Sequence, residues 1–174
     1  MATKRKYPSK GHEWLTPDEM KTWRALHDVV TGVPIVLGDE LRREVGLSFL
    51  EYYVLAGLSE QPDHSLRMSQ LAILANSELS RLSHLIGRLE KRGLVERRPD
   101  STDGRFNLAV LTSEGFKLVK KAAPLHVEHV RQLIFDVLDV AEQRALSNAL
   151  VKVRREIIRQ LLDRSPGLVI AAEL

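Results

Sequence analysis

Apolar residues recur every three or four positions over most of the chain, which is the period of an amphipathic helix. A first helix is predicted over residues 17–37, because Thr16 and Glu19 form a capping box around Pro17 at the first helical position. Pro34 predicts a kink near the end of this helix. The apolar positions that define it are Met20, Trp23, Leu26, Val30 and Val33.

Three further segments carry their own start and stop signals. Ser48 and Glu51 form a second capping box, which predicts a helix to about residue 59. A short amphipathic helix over residues 69–75 ends at Asn76, a residue that tolerates the left-handed conformation a tight turn needs. Ser77 then caps a longer helix over residues 77–92, with Gly93 as its stop. The longer helix has a single apolar stripe, formed by Leu82, Leu85, Ile86 and Leu89.

The pattern then changes from helix to strand and back. Residues 94–98 and 106–111 predict two strands, and the turn "PDSTDG" between them makes a hairpin. Thr112 caps a helix that we expect to reach about residue 138, with Pro124 as a bend. Asp139 and Glu142 begin a last helix. Its apolar positions are Leu146, Ala149, Leu150, Val153, Ile157 and Leu161.

Taken together, the order is short helix, tight turn, longer helix and hairpin, with long amphipathic helices on both sides. This is the layout of a winged helix-turn-helix, so the predicted fold class is mainly α with a small β-hairpin wing. Helices of about 20 residues or more extend roughly 30 Å, which is further than a small winged domain can cover. The flanking helices therefore predict a partner chain.

Composition narrows the class of protein. Among 174 residues, 44% are hydrophobic and 28% are charged, which is typical of a globular chain. The absence of cysteine excludes disulfides, thiol nucleophiles and thiolate metal sites. No apolar run is long enough to span a bilayer or form a signal peptide, so we expect a cytoplasmic protein without a membrane partner. No nucleophile elbow, phosphate-binding glycine loop or zinc-protease motif is present, so we expect no enzyme and no cofactor.

Positive charge is concentrated in two places. The formal net charge is +3, but residues 1–10 alone contain Lys4, Arg5, Lys6 and Lys10 and no acid. Residues 81–105 hold seven basic residues against four acidic ones. The second concentration covers the longer predicted helix and the hairpin, where a winged helix-turn-helix contacts DNA.

The longer helix and the hairpin offer distinct DNA contacts. With its apolar stripe turned inward, the helix presents a polar face to the major groove, where base edges are distinguishable. Arg105 at the wing tip is the candidate for the minor groove, with Asp103 able to orient its guanidinium. Arg97 and Arg98 alternate across a strand, so only one of them faces the phosphates. The candidates on the polar face are Ser80, Arg81, Ser83, His84 and Arg88.

Residues 71–115, "LAILANSELSRLSHLIGRLEKRGLVERRPDSTDGRFNLAVLTSEG", resemble the core of the MarR family of bacterial transcriptional regulators. The most specific parts are "LEKRGLVERRPD", the pair Asp103 and Arg105, and "LT" with Gly115. The resemblance implies that Ser80, Arg81 and His84 touch bases or phosphates and that Asp103 and Arg105 form the wing tip. Many relatives carry arginine where this chain has His84; whether His84 meets a base or a phosphate stays open.

The resemblance also implies an assembly and a regulatory role. It implies a homodimer that represses transcription from a pseudo-palindromic operator in double-stranded DNA until a small ligand releases it. On this plan residues 1–14 are a flexible basic arm, 15–46 the N-terminal dimerisation helix region, 47–112 the winged helix-turn-helix domain and 113–174 the C-terminal dimerisation helices.

Several alternatives stay open beside this interpretation. The winged domain could be a protein-interaction module without DNA binding, although its polar, cationic helix face favours DNA. Four aromatic residues are candidates for a pocket that binds an aromatic effector, or are packing residues: Trp23, His27, Tyr52 and Tyr53. His126 and His129 have a spacing that could hold a metal, but no third ligand is evident, so we expect no metal site.

Overall fold

The computed structural model describes residues 14–164 and confirms a mainly helical fold with a small antiparallel sheet. Of the predicted basic arm at residues 1–14, only Trp14 lies within the described residues. A π-helical turn at Arg131–Phe135 follows α5. The helices and strands, in chain order, are α1 (Pro17–Val45), α2 (Phe49–Ser59), β1 (Ser65–Arg67), α3 (Met68–Leu74), α4 (Leu79–Lys91), β2 (Val95–Pro99), β3 (Asn107–Leu111), α5 (Ser113–Val130) and α6 (Val140–Arg164).

The chain divides into two compact units within α1, one ending at Ile35 and the other beginning at Val36. In the first unit, the predicted capping box is present: the Thr16 amide donates to Glu19 Oε2 over 2.7 Å, and the Glu19 amide donates to Thr16 Oγ1 over 3.3 Å. The Thr16 amide, and the Thr16 hydroxyl that also donates to Glu19 Oε2 over 2.8 Å, lower the pKa of the Glu19 carboxyl below its usual value. The start of α1 is therefore fixed by local chemistry alone.

The predicted end of the first helix near residue 37 is wrong. The helix runs to Val45 without interruption at Pro34, and Gly46, with φ of 68°, ends it. Proline removes one backbone donor, a loss that a helix extended on both sides can tolerate when its further turns are buried. Leu37 and Leu41 are buried in those further turns.

Helices α3 and α4 are joined by the predicted left-handed residue, but the cap differs. Asn76 has φ of 44°, as expected. The N-cap of α4 is Glu78 rather than the predicted Ser77. The Leu82 amide donates to the Glu78 carbonyl over 2.9 Å, which makes Glu78 the residue that accepts the first hydrogen bond of α4, and the Ser77 hydroxyl donates to that same carbonyl over 3.4 Å instead of accepting from an α4 amide.

The sheet has three strands, in the order β1-β3-β2, whereas the sequence predicted only the hairpin of β2 and β3. With three residues, β1 is too short to show a strand period, and it is defined by its pairing with β3. Pro99 pairs with Asn107 at the end of the hairpin. Residues 100–106 therefore form the wing loop beyond the paired strands.

The hydrophobic core is formed within the winged domain, and the predicted apolar stripe of α4 is buried in it. Gly93 has φ of 70° and ends α4, as predicted. At the start of α5, a Cβ on Gly115 would overlap the Leu94 carbonyl oxygen, so α5 packs directly on the chain that enters β2. The largest fully buried side chains are Leu47, Val54, Leu55, Leu58, Leu71, Leu82, Ile86, Leu89 and Val95.

Both C-terminal helices start where the sequence predicted, but α5 ends before the predicted residue 138. Thr112 Oγ1 accepts from the Gly115 amide over 3.0 Å, which confirms the cap of α5. The α-helix ends at Val130 and continues as the π-helical turn, while Pro124 lies inside the helix. Asp139 and Glu142 form the predicted box at the start of α6. Within residues 14–164, every helix is too short or too polar to span a bilayer.

Candidate nucleic-acid interface

Helix α4 presents an exposed polar face opposite its buried stripe. Ser80, Arg81, His84 and Arg88 are exposed, and Ser83 is half-buried. An open groove of about 550 Å³ runs along this face beside the start of α2. Its lining residues are Ser48, Leu50, Ser80, Arg81, His84, Leu85 and Arg88.

Arg88, in the last turn of α4, and Arg92, the residue that follows α4, both form ion pairs with Glu51 in the first turn of α2. Arg88 Nε lies 3.9 Å from Glu51 Oε1, and Arg92 Nη1 lies 3.8 Å from Glu51 Oε2. Arg92 also donates to the Gly46 carbonyl over 3.0 Å. Within residues 14–164 neither Arg81 nor His84 makes an ion pair, so the N-terminal part of the face exposes cationic and imidazole groups without an acid partner.

At the wing tip, Asp103 orients Arg105 as the sequence predicted. Arg105 Nε donates to Asp103 Oδ1 over 2.9 Å, and Nη2 donates to Oδ2 over 2.6 Å. The pairing lowers the pKa of the Asp103 carboxyl and raises the pKa of the Arg105 guanidinium. The Arg105 side chain is 84% exposed, so a bidentate pair holds it in solvent.

The other two wing arginines point to opposite faces of β2, as the alternation predicts. Arg97 turns toward α4, where its Nη2 donates to the Ser83 carbonyl over 2.7 Å and its Nε lies 3.5 Å from Glu90 Oε2. Arg98 pairs with Glu96 on the same strand. Arg97 and Ser83 are thus engaged with each other, and they tie the wing to α4.

A cluster at the base of the wing loop was missed by the sequence analysis. Asp100 is buried, and its Oδ1 accepts from the Thr102 hydroxyl over 2.7 Å and from the Thr102 amide over 2.8 Å. Its Oδ2 accepts from Arg67 Nε over 2.6 Å. The Thr102 hydrogen bonds, with a further contribution from Arg67, lower the pKa of Asp100 to about 2. The "DST" turn could have indicated Asp100 as a turn residue, but Arg67 becomes its neighbour only through the pairing of β1 with β3.

The four candidate effector residues fall into different settings. Trp23 and His27 form a tilted ring pair, 6.4 Å between centroids, in the unit that ends at Ile35. Tyr52 is buried and Tyr53 is exposed, because adjacent helical positions face different ways. Burial raises the pKa of the Tyr52 hydroxyl, and the charge of Glu60 adds to that effect.

His126 packs against Tyr52 and not against a metal ligand set. The two ring centroids are 4.6 Å apart, and the buried His126 Nδ1 has no hydrogen-bond partner among the described residues. Burial lowers the pKa of His126, and the nearby His129 adds to the shift. His129 Nε2 instead lies 3.7 Å from Glu40 Oε2. In the part of the chain that the structure describes, no three His, Asp or Glu side chains are grouped to hold a metal ion.

Comparison with solved structures finds the same fold in bacterial regulators. Sco3205 of Streptomyces coelicolor, a MarR family transcriptional regulator solved in complex with DNA, is 36% identical with a TM-score of 0.79, over 85% of this chain and 92% of that one. AbsC, a MarR family transcriptional regulator of the same organism, is 35% identical with a TM-score of 0.78, over 84% of this chain and 98% of that one.

Sequence comparison gives the same family. A family model for the MarR family matches residues 45–105, which cover the chain from the end of α1 to the wing tip. The transcriptional repressor MprA of Escherichia coli is 26% identical over 126 residues, which are 72% of this chain and 66% of MprA. The transcriptional regulator HosA of the same species is 32% identical over 77 residues, or 43% of this chain and 54% of HosA. The chain thus spans just under two thirds of MprA and about half of HosA.

Proposed function

This chain belongs to the MarR family of transcriptional regulators, and on that premise we propose that it is a sequence-specific DNA-binding repressor that acts as a homodimer on a pseudo-palindromic operator. The observation that carries the proposal is the exposed cationic face of α4 joined, through Arg97 and Ser83, to a wing whose Arg105 stands in solvent. Membership of a family of regulators agrees with the expectation that the chain is not an enzyme.

Helix α4 is the proposed reader of the major groove. Its buried stripe fixes the helix in the domain, so Ser80, Arg81 and His84 are the side chains available to base edges and phosphates. Arg88 carries a partner acid at 3.9 Å, a loose ion pair that a phosphate can replace. Phosphate contacts release counterions, so operator affinity falls steeply with salt.

The wing is the proposed reader of the minor groove. Arg105 is the residue for insertion, because Asp103 holds its guanidinium extended and the narrow groove concentrates negative potential. Arg98 lies on the face of β2 away from α4 and is the strand residue left for a phosphate. Arg97 contributes by holding the wing against α4.

The proposed second subunit is another copy of this chain. Five large apolar residues of α6 lie at steps of three and four and are all exposed: Leu146, Leu150, Val153, Ile157 and Leu161. A stripe of this length on one helix is the surface that a two-fold partner covers. Two α4 helices related by such an axis would meet half-sites about 34 Å apart.

The remaining part of the proposal is that a small ligand, with an aromatic effector as the candidate, releases the protein from DNA. Tyr52 and His126 pack on each other, and the buried His126 Nδ1 lacks a hydrogen-bond partner among the described residues, so a ligand that parts the two rings would meet aromatic surface and an unpaired polar atom. Tyr53, Trp23 and His27 are the other candidates for such contacts. A thermal-shift screen of small aromatic acids, repeated with Tyr52→Ala, tests this part, and equal shifts in both proteins would exclude Tyr52.

The DNA-binding proposal is tested with Arg105→Ala. Duplexes are first selected from a random pool by the wild-type protein, and the affinity for the selected duplex is then measured across a salt series. We expect the variant to bind about tenfold more weakly or worse, with the salt slope reduced by about one, because one cation leaves the DNA interface.

The matched control is Arg131→Ala. Arg131 is an exposed arginine paired with an acid, Asp136, in the π-helical turn and outside α4 and the wing, so the variant has the same change in net charge. It should bind as the wild type does. Equal behaviour of the two variants would remove Arg105 from DNA binding. Failure of the wild type to select any duplex at low salt would favour the protein-interaction module.

A further inference from the structure

We propose that Arg67 is a positioning residue for DNA binding: it fixes the wing loop through Asp100 and Phe106 and thereby sets the direction in which Arg105 points. The inference rests on the proposed function, since it concerns how the wing arginine is presented to DNA. Arg67 lies in β1, 38 positions before Arg105 in the printed sequence, and outside the wing itself.

Arg67 is hydrogen-bonded to the base of the wing loop. Arg67 Nε donates to Asp100 Oδ2 over 2.6 Å, and Arg67 Nη2 donates to Thr102 Oγ1 over 3.2 Å. The Asp100 side chain is only 7% exposed. A buried carboxylate that loses its cation is costly, so this contact holds the loop firmly to β1.

Arg67 and Arg105 both lie against the ring of Phe106. The Arg67 guanidinium carbon lies 4.7 Å from the Phe106 ring centroid, and that of Arg105 lies 6.0 Å from the same centroid. The Phe106 carbonyl accepts from the Asp100 amide over 2.9 Å, so the ring is attached to the same loop base. Arg67 therefore restrains the surface against which Arg105 rests.

Phe106 is in turn connected to Arg105 at the wing tip through Asp103. The Phe106 amide donates to the Asp103 carbonyl over 3.0 Å, and the Asp103 carboxylate holds the Arg105 side chain. A continuous set of contacts thus runs from Arg67 to Arg105. Each member is a hydrogen bond, an ion pair or a ring contact within the described residues.

Arg67 also stands at the start of α3. Its amide donates to Gln70 Oε1 over 3.2 Å, and α3 begins at the next residue. Through Arg67, the wing loop is therefore attached to the start of α3, the first helix of the helix-turn-helix, in addition to its attachment to α4. Its Nε and Nη2 donors are already used within the chain, which is why we assign it positioning and not contact with DNA.

The test is a double-mutant cycle between Arg67→Met and Arg105→Ala, measured on the selected duplex. Methionine keeps the length of the side chain but removes its hydrogen bonds and charge. We expect Arg67→Met to weaken binding about tenfold in the wild-type background and less than about twofold in the Arg105→Ala background, because positioning has no effect once Arg105 is gone.

The matched control is Lys120→Met. Lys120 lies 4.7 Å from the Phe116 ring centroid on α5, so this variant also loses one charge and one cation-π contact at the same distance. It should change binding less than about twofold in both backgrounds. Circular dichroism and thermal unfolding of every variant confirm that the domain is folded.

A readout without DNA separates this inference from the proposed function. The NMR order parameter of the Arg105 Nε–H group should fall in Arg67→Met and stay unchanged in Lys120→Met. An unchanged order parameter overturns the inference even if DNA binding is established. Equal losses in both backgrounds of the cycle also overturn it, because Arg67 would then contact DNA by itself. Absence of any wild-type DNA binding refutes the proposed function and leaves the NMR result to decide the wing contact.

Discussion

Helices α4 and α6 have the same sequence pattern and opposite burial. Leu82 and Ile86 of α4 are fully buried, whereas Leu150 and Ile157 of α6 are 46% and 53% exposed. Both helices place apolar residues at steps of three and four. The period thus identifies the apolar face of a helix, and only the remaining chain determines whether that face is covered within one molecule.

The same contrast holds for charges in the two regions. Asp100 in the wing and Glu156 on α6 both have pKa values lowered to about 2, the first chiefly by Thr102 and the second chiefly by Arg159. The Asp100 side chain is 7% exposed, and that of Glu156 is 51% exposed. Water and salt screen the α6 pair, so similar shifts correspond to different structural importance.

The largest expected effect separates the two apolar faces. Leu82→Ala should lower the free energy of unfolding by about 3–5 kcal/mol at any protein concentration, because it leaves a cavity in a closed core. Leu150→Ala should have an effect that shrinks as the protein is diluted, because in the proposed dimer its burial depends on the second copy. Urea unfolding at two protein concentrations measures both. A concentration-independent loss in Leu150→Ala would show that α6 is covered within one chain.

An intermediate effect is expected for a charge on the exposed stripe. Ile157→Glu should convert a dimer to a monomer, because two copies would bury an unpaired carboxylate on each side. Light scattering after size-exclusion chromatography measures the mass, and near-UV circular dichroism tests whether the winged core is kept. Glu156→Gln, next to it on the helix, is the control and should leave the mass unchanged. A monomeric wild type would contradict the proposed dimer.

The smallest effect is a difference in acid stability. The folded pKa of Asp100 is below its usual value of 3.8, so its contribution is present above about pH 4 and is lost as the pH falls toward about 2. Asp100→Asn should flatten this part of the stability curve. Glu156→Gln should flatten it less, because solvent and salt screen the exposed pair of Glu156 with Arg159. Unfolding followed between pH 5 and pH 2 provides the comparison, and equal curves for the two variants would contradict it.

Local signals predicted the helix-turn-helix well, because its boundaries depend on residues that are neighbours in sequence. Asn76, Gly93 and Thr112 adopt the predicted conformations or caps for this reason. The same logic gave the Asp103 and Arg105 pair, whose members are two positions apart.

The misses share a different cause. Strand β1 exists through pairing with β3, and Arg67 meets Asp100 across 33 positions. These features depend on which distant segments meet, which periodicity and capping residues do not specify.

The tie between Arg97 and Ser83 has a mechanical consequence. Gly93 connects the end of α4 to β2, and this hydrogen bond joins β2 to α4 at a second point. We therefore expect the helix and the wing to move together as one rigid unit. In the proposed dimer, we therefore expect DNA binding to depend on the separation and angle between the two copies, and bending inside one copy to contribute little.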